Sequence, residues 1–327
     1  MALPLEQPQG RVSLDGVPAA GLVELDVQAP GPFLAGRFRA VFAMGPAPAL
    51  GAGNFAALGN VPVTIEISAD GLGYTMVLAG QVENIRIDLA KNTATLQGRD
   101  QTALLIDTEI AESFVNQTAS EVAETIALRH GLIPNVTQTA QPVGQYYQID
   151  HARNALNVGS RATTEWNLLC RLAEMQQFGV SVAGGALIFG PMTATAETLV
   201  TPARFTGLQV DLVTMLPVAV AVRSWNTRNK KVVEQSTGSG TATTIVRPNM
   251  TMAQANDYAS SVLAMVQQHG KVLLGRMPGD TTLSVGDVLL LAGTNSGLDA
   301  SYVVVSLGRR LNARDGFVQM VKAYAVG

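Results

Sequence analysis

Side chains able to do chemistry are few in this chain and stand far apart. The three histidines, His130, His151 and His269, each stand alone. His130 and His269 sit just before Gly131 and Gly270, where a partial positive charge suits the end of a helix. We read that capping role for them rather than a catalytic one. No histidine pair has metal-ligand spacing, and Cys170 has no second thiol, so neither a metal site nor a disulfide is expected. Cys170 falls on the apolar stripe of a helical segment and reads as core, not nucleophile. Asp107, Glu109 and Glu112 are the closest acidic cluster. Paired carboxylates perform general acid–base work in glycosidases, but acids around a helix start more often serve its dipole or face solvent. There is no GxSxG, no phosphate loop and no GxGxxG after a strand. The expectation is a chain without catalytic residues and without a cofactor.

The elements that would position any site are mostly strands. Residues 61–100 read as strand, turn, long strand, turn, strand. Val61, Val63, Ile65 and Ile67 alternate with polar or small residues, the period of two of a half-buried strand. Asp70, Gly71 and Gly73 supply a turn. Tyr74, Met76, Leu78 and Val82 then lie on even positions, and Ile85, Ile87 and Leu89 on odd ones. Such a change of face needs an extra residue, so a bulge is predicted near Glu83 and Asn84. Earlier strands are predicted over 11–17, 21–28 and 36–44, the last with Phe38, Ala40 and Phe42 on one face.

Residues 46–60 form a predicted long loop of prolines, glycines and small apolar residues with no charge. Leu50, Phe55 and Leu58 in such a loop imply that it docks on something or folds back over its own barrel. The sequence leaves both open.

Helices follow. Thr118 and Glu121 make a capping box before the stripe Val122, Ala123, Ile126 and Ala127. A second helix over 164–178 buries Trp166, Leu169, Cys170 and Ala173, and Gly184–Gly185 turns a hairpin. A third helix, 251–269, opens with Thr251 and Gln254. From Phe205 the β character returns, and the run from Tyr302 to the last strand matches Tyr74 to Leu96 in order and length. The predicted fold class is mainly β with an α+β insert. We expect two tube-like β-barrel domains, 1–107 and 200–327, separate rather than in one continuous sheet. The insert spans 108–199, and helix 251–269 is inserted in the second barrel.

Of the 327 residues, 47% are hydrophobic and only 14% charged, against roughly 25% in an average soluble protein. So little charge suits a subunit that hides much of its surface against copies or partners. A net charge of −3 without a basic block gives no sign of specific nucleic-acid binding. The N-terminal MALPLEQPQG lacks a basic region and an apolar run, so it is not read as a signal peptide. No window approaches the ~20 apolar residues of a membrane span or anchor. A single cysteine is compatible with a reducing cytoplasm.

The run 80–110 (GQVENIRIDLAKNTATLQGRDQTALLIDTEI), then TASEVAETIALRHGL and TEWNLLCRLAEMQQFGVSV, resembles the baseplate hub family of contractile phage tails, the late control protein D family. Residues 220–233 and 282–311 sit where such hubs carry a second barrel, so the likeness spans about 11–327. It extends to the hub part of type VI secretion spike proteins. This chain differs in ending at Gly327 without a needle or a lysozyme-like segment, so puncturing or wall-degrading roles are expected of another protein. The resemblance implies a structural homotrimer whose two barrels per subunit imitate six tube-like barrels. It would join a sixfold tail tube protein to a threefold central spike protein, beside other baseplate proteins, in a virion tail baseplate assembled in the host cytoplasm. Leu50, Phe55 and Leu58 become candidates for the subunit or tube interface. Competing readings are a tail-associated hydrolase using the acids at 107–112, and a carbohydrate- or receptor-binding tail protein. Only 5% of the residues are aromatic, and they are scattered, which argues against the last.

Overall fold

The computed structural model describes residues 7–326 apart from 48–49, 111, 113, 115, 141–142, 144–163, 193–195, 215, 227–229 and 248–249. The chain opens with strands β1 (Gln9–Leu14), β2 (Val17–Pro18), β3 (Leu22–Pro30) and β4 (Arg37–Ala43). A short helix, α1 (Ala52–Ala57), precedes β5 (Pro62–Ser68), β6 (Thr75–Asp88) and β7 (Thr93–Asp100). The insert holds α2 (Thr102–Ile106), α3 (Ala119–Arg129), β8 (Ile133–Val136), α4 (Glu165–Gln176), β9 (Gly179–Ala183) and β10 (Ala186–Gly190). β11 (Glu197–Val200) and β12 (Gly207–Leu212) follow, then β13 (Ala219–Asn226), β14 (Lys231–Gly238), β15 (Thr243–Val246) and α5 (Met252–Gln268). The chain closes with β16 (Lys271–Pro278), β17 (Val288–Leu291), β18 (Ala300–Asn312) and β19 (Gly316–Ala325).

The same six-strand pattern occurs twice. In the first half the bonded order is β3-β4-β7-β6-β5-β1; in the second it is β12-β16-β19-β18-β17-β11. Taken in chain order, the two sets map onto each other strand for strand. One pairing differs in sense: β1 runs antiparallel to β5, whereas β11 runs parallel to β17. The long strand is bulged at the equivalent place in both halves. β6 shifts register between Val82 and Asn84, as its change of face requires, and β18 between Val304 and Ser306. Aligning the bulges sets Tyr302 against Gly80, not against Tyr74 as the sequence match had it.

The mainly β class with an α+β insert holds; the expectation that the two halves are separate sheets does not. Among the described residues both halves lie in one 13-stranded sheet, joined by antiparallel pairing of β18 with β3. The reason is a competition for one edge. β3 gives its second edge to β18, so β1 approaches β3 only through side chains: a Cβ on Gly10 would lie 3.0 Å from Leu22 and 3.4 Å from Leu25. Each half still curls around its own core. Val12, Leu25, Val27, Phe38, Phe42, Ile65, Ile67 and Leu96 fill the first. Leu273, Leu289, Tyr302, Val304, Leu307 and Val321 fill the second. Two glycines let β6 cross β7 closely at the bulge. A Cβ on Gly80 would stand 2.1 Å from the Arg99 carbonyl, and one on Gly98 1.9 Å from that of Gln81.

The insert packs α3 and α4 on the three-stranded sheet β8-β10-β9. Both halves of the Thr118–Glu121 capping box form, and Gly184 and Gly185 both take positive φ in the tight hairpin. α4 ends with Gln177 in the left-handed conformation. α5 lies against β13 and β14 in a satellite core of Val220, Val222, Ala255, Ala259 and Leu263, set between β12 and β16.

Candidate functional site

The acids at 107–112 do not converge. The Asp107 carboxylate accepts from Arg99 at 2.8 Å, and Arg99 also binds Glu83. These three, with Gly59, Asn60, Val82 and Ile85, line a shallow hollow at the β6 bulge. The hydrogen bonds that Arg99 donates to Glu83 and Asp107 raise its pKa still further, so the hollow holds a fixed cation paired with two carboxylates. Glu109 sits where the backbone bridges to Thr164.

Glu112 instead joins a network that the sequence did not show. Glu165, in the first turn of α4, is only 1% exposed. Its two oxygens meet Arg129 and His130, the latter at 2.5 Å, and Arg129 also binds Glu112. Glu112 is the largest cause of the raised Arg129 pKa; burial opposes it, and Glu165 adds to it. The chain places Arg129 and His130 at the end of α3 and Glu165 at the start of α4, so both helix ends are neutralised at one point. The arrangement clamps the two helices and shows no nucleophile. The only warning in the sequence was an acid next to the Thr164 cap. His130 therefore does sit at a helix end, as expected, but its ring serves a buried carboxylate.

His269 caps α5, its Nδ1–H donating to the Met265 carbonyl at 2.8 Å, and its ring lies against Tyr324. His151 falls outside the described residues. Burial, with the nearby charge of Glu174, pushes the Cys170 thiol up to about 12, which leaves it protonated and a poor nucleophile at neutral pH. Among the described residues, no three His, Cys, Asp or Glu side chains gather as a metal would require. No helix there is long and apolar enough to cross a membrane.

The predicted loop 46–60 contains α1, and Phe55 turns inward. It is 2% exposed, packed in the first core with its ring 5.6 Å from Phe42. Leu58 packs at the margin of the same core, and Leu50 is half-buried. Phe55 therefore covers its own barrel, because burying an aromatic ring there stabilises the subunit more than leaving it in solvent. It is withdrawn from the interface candidates.

What remains open are strand edges. The outer side of β12 has no bonded partner among the described residues, and neither has β6 beyond Val82. Leu89 is 73% exposed and Leu212 56%, so both edges end in uncovered apolar side chains. The polar face of the joined sheet carries Glu24, Asp26, Arg39 and Arg310 in one ion-pair ladder.

No protein-family profile and no curated protein matches the chain. Solved structures do. A tail protein from Neisseria meningitidis superposes with TM-score 0.73 at 15% identity, over 97% of this chain and 96% of its own. The chain has the fold of a phage tail protein. The 43 kDa tail protein of prophage MuSo2 from Shewanella oneidensis gives TM-score 0.70 at 15% identity, over 97% of this chain and 98% of that one. A third relative in shape is an Escherichia coli type VI secretion component, described as structurally similar to the T4 tail proteins gp27 and gp5. It shares 13% identity at TM-score 0.58, over 97% of this chain and 77% of its own. The likeness in fold thus extends over 97% of the chain.

Proposed function

We propose that the chain is a structural, non-enzymatic baseplate hub of a contractile tail or a related particle, and acts as a homotrimer. In this reading 1–107 and 200–327 are the two tube-like repeats, separated by the 108–199 insert. The observation that supports the reading is the six-strand pattern repeated in matching order within one chain, in a fold shared with tail proteins; the continuous β3–β18 sheet, against the separate barrels expected from the sequence, joins the two repeats. Three such chains would supply six equivalent repeats, the arrangement that lets a threefold object match a sixfold tube. The hub would seat the tail tube protein on one side and the central spike protein on the other, among other baseplate proteins. Closing the ring would also cover the sheet edges that a lone subunit leaves open. Asp107 and Glu112, each bound to a different arginine rather than facing one another, favour this over a hydrolase built on the acids at 107–112.

Electron microscopy of intact particles tests the proposal. A label attached to the chain should mark the baseplate end of the tail, and particles lacking the chain should carry no tube seated on the baseplate. Label along the tail, or on its fibres, would contradict it.

A further inference from the structure

The register of the internal junction can be carried to the open edges. Within the chain, Ser306 pairs with Pro30, Gly308 with Gln28, Arg310 with Asp26 and Leu311 with Leu25. Aligning the two bulges sets Asn84 against Ser306, Arg86 against Gly308 and Asp88 against Arg310. On the other side of the junction, β3 is followed to β12 through matching ladders. Gln28 pairs with Arg37 and Arg37 with Arg99, while Asp211 pairs with Val272 and Val272 with Tyr324. Arg99 and Tyr324 then pair with Gln81 and Val303, each one residue before its bulge segment. This makes Asp211 the counterpart of Gln28, Val210 of Val27 and Leu208 of Leu25.

We propose that residues 84–89 pair antiparallel with β12 of a second copy of this chain, with Arg86 directly opposite Asp211. The inference rests on the hub reading and names its interface. The transferred register puts Ile85 opposite Leu212, Ile87 opposite Val210 and Leu89 opposite Leu208. Apolar residues thus meet apolar residues along one face, and on the other a cation meets an anion. Arg86 and Asp211 are both exposed, and neither makes an ion pair among the described residues. Among the described residues, the Asp211 carboxylate accepts one side-chain bond, from Gln209 at 2.9 Å. Their in-chain counterparts, Gly308 and Gln28, carry no charge; there the junction is pinned one pleat away by Arg310 and Asp26. The two junctions are therefore built on one register but marked by different charge pairs. That difference would stop β12 from displacing β3 on β18, or β6 from displacing β18 on β3, where Asp88 would face Asp26.

The test uses the full chain with Cys170→Ser. Arg86→Cys and Asp211→Cys together should form intermolecular disulfides on mild oxidation and give covalent trimers, because directly opposed residues lie within disulfide reach. Arg86→Cys with Leu208→Cys, on opposite faces, should not cross-link. Separately, Arg86→Asp and Asp211→Arg should each weaken self-association about tenfold, because like charges then stand directly opposite each other across the strand pair. The double swap should restore it. Trimers that form normally but neither cross-link nor respond to the charge changes would overturn the register while leaving the hub reading intact. A wild-type chain that stays monomeric at every concentration would overturn both.

Discussion

Arg310 of β18 donates to Asp26 of β3 across 2.6 Å, although 284 residues separate them in the chain. Asp26 also faces Arg39 at 3.6 Å, so one carboxylate on the polar face ties together strands of both repeats. Directly beneath, Leu25 and Leu311 are paired across the same junction. The two halves are thereby one hydrogen-bonded body, with the charge pair above and the apolar contact below.

The apolar contact should dominate the energy of this junction. The Arg310 side chain is 52% exposed, so Arg310→Ala should lower unfolding stability by no more than about 1 kcal/mol. Leu25 is fully buried, and Leu25→Ala should cost about 2–5 kcal/mol. Urea unfolding of the two variants separates these outcomes; comparable losses would mean that the ion pair is the main tie.

Phe55 now belongs to the subunit. Phe55→Ala should lower the stability of the isolated chain by about 3–5 kcal/mol, the usual cost of emptying a buried aromatic site. Thermal melting of monomeric protein measures this. An unchanged melting temperature together with failed assembly would return the residue to the interface.

The clamp between α3 and α4 should be structural. Arg129→Ala leaves the buried Glu165 carboxylate with the His130 ring as its remaining side-chain partner among the described residues, which should cost about 1–3 kcal/mol. Glu112→Gln, at an exposed position, should cost less than about 1 kcal/mol. Neither variant should alter any activity of the particle on cell walls. Wall degradation by the purified chain that vanishes in Glu112→Gln would show a hydrolase instead.

Acid should loosen particular loops. Hydrogen bonds from the Thr294 hydroxyl, then from its amide and that of Gly293, hold the Asp299 carboxyl below its ordinary 3.8. The folded carboxylate takes up its proton less readily than the unfolded one. Its contribution is therefore complete above the unfolded value and is lost as pH falls through the lower folded one. The amide proton shifts of Gly293 and Thr294 should titrate together with a midpoint below 3.8, and Asp299→Asn should abolish the transition. A midpoint above 3.8 would contradict the assignment.

Much of this fold was legible because local signals agreed with one another. The change from even to odd apolar positions around Glu83 marked a bulge that exists, and Thr118 with Glu121 marked a capping box that forms. The β3–β18 junction was not legible. It depends on which of two competing strands takes the free edge of β3, and no local pattern encodes that choice. The same applies to Glu165, whose neighbours in sequence say nothing of Arg129 and His130 arriving from another helix. Phe55 was ambiguous for a third reason: an uncharged loop reads alike whether it covers its own core or another chain's.

The central claim is that three chains complete the set of repeats. Size-exclusion chromatography with light scattering on the purified chain measures it directly. The account predicts a stable species of three times the 34.3 kDa chain mass, persisting on dilution. A monomer or dimer at every concentration would contradict it.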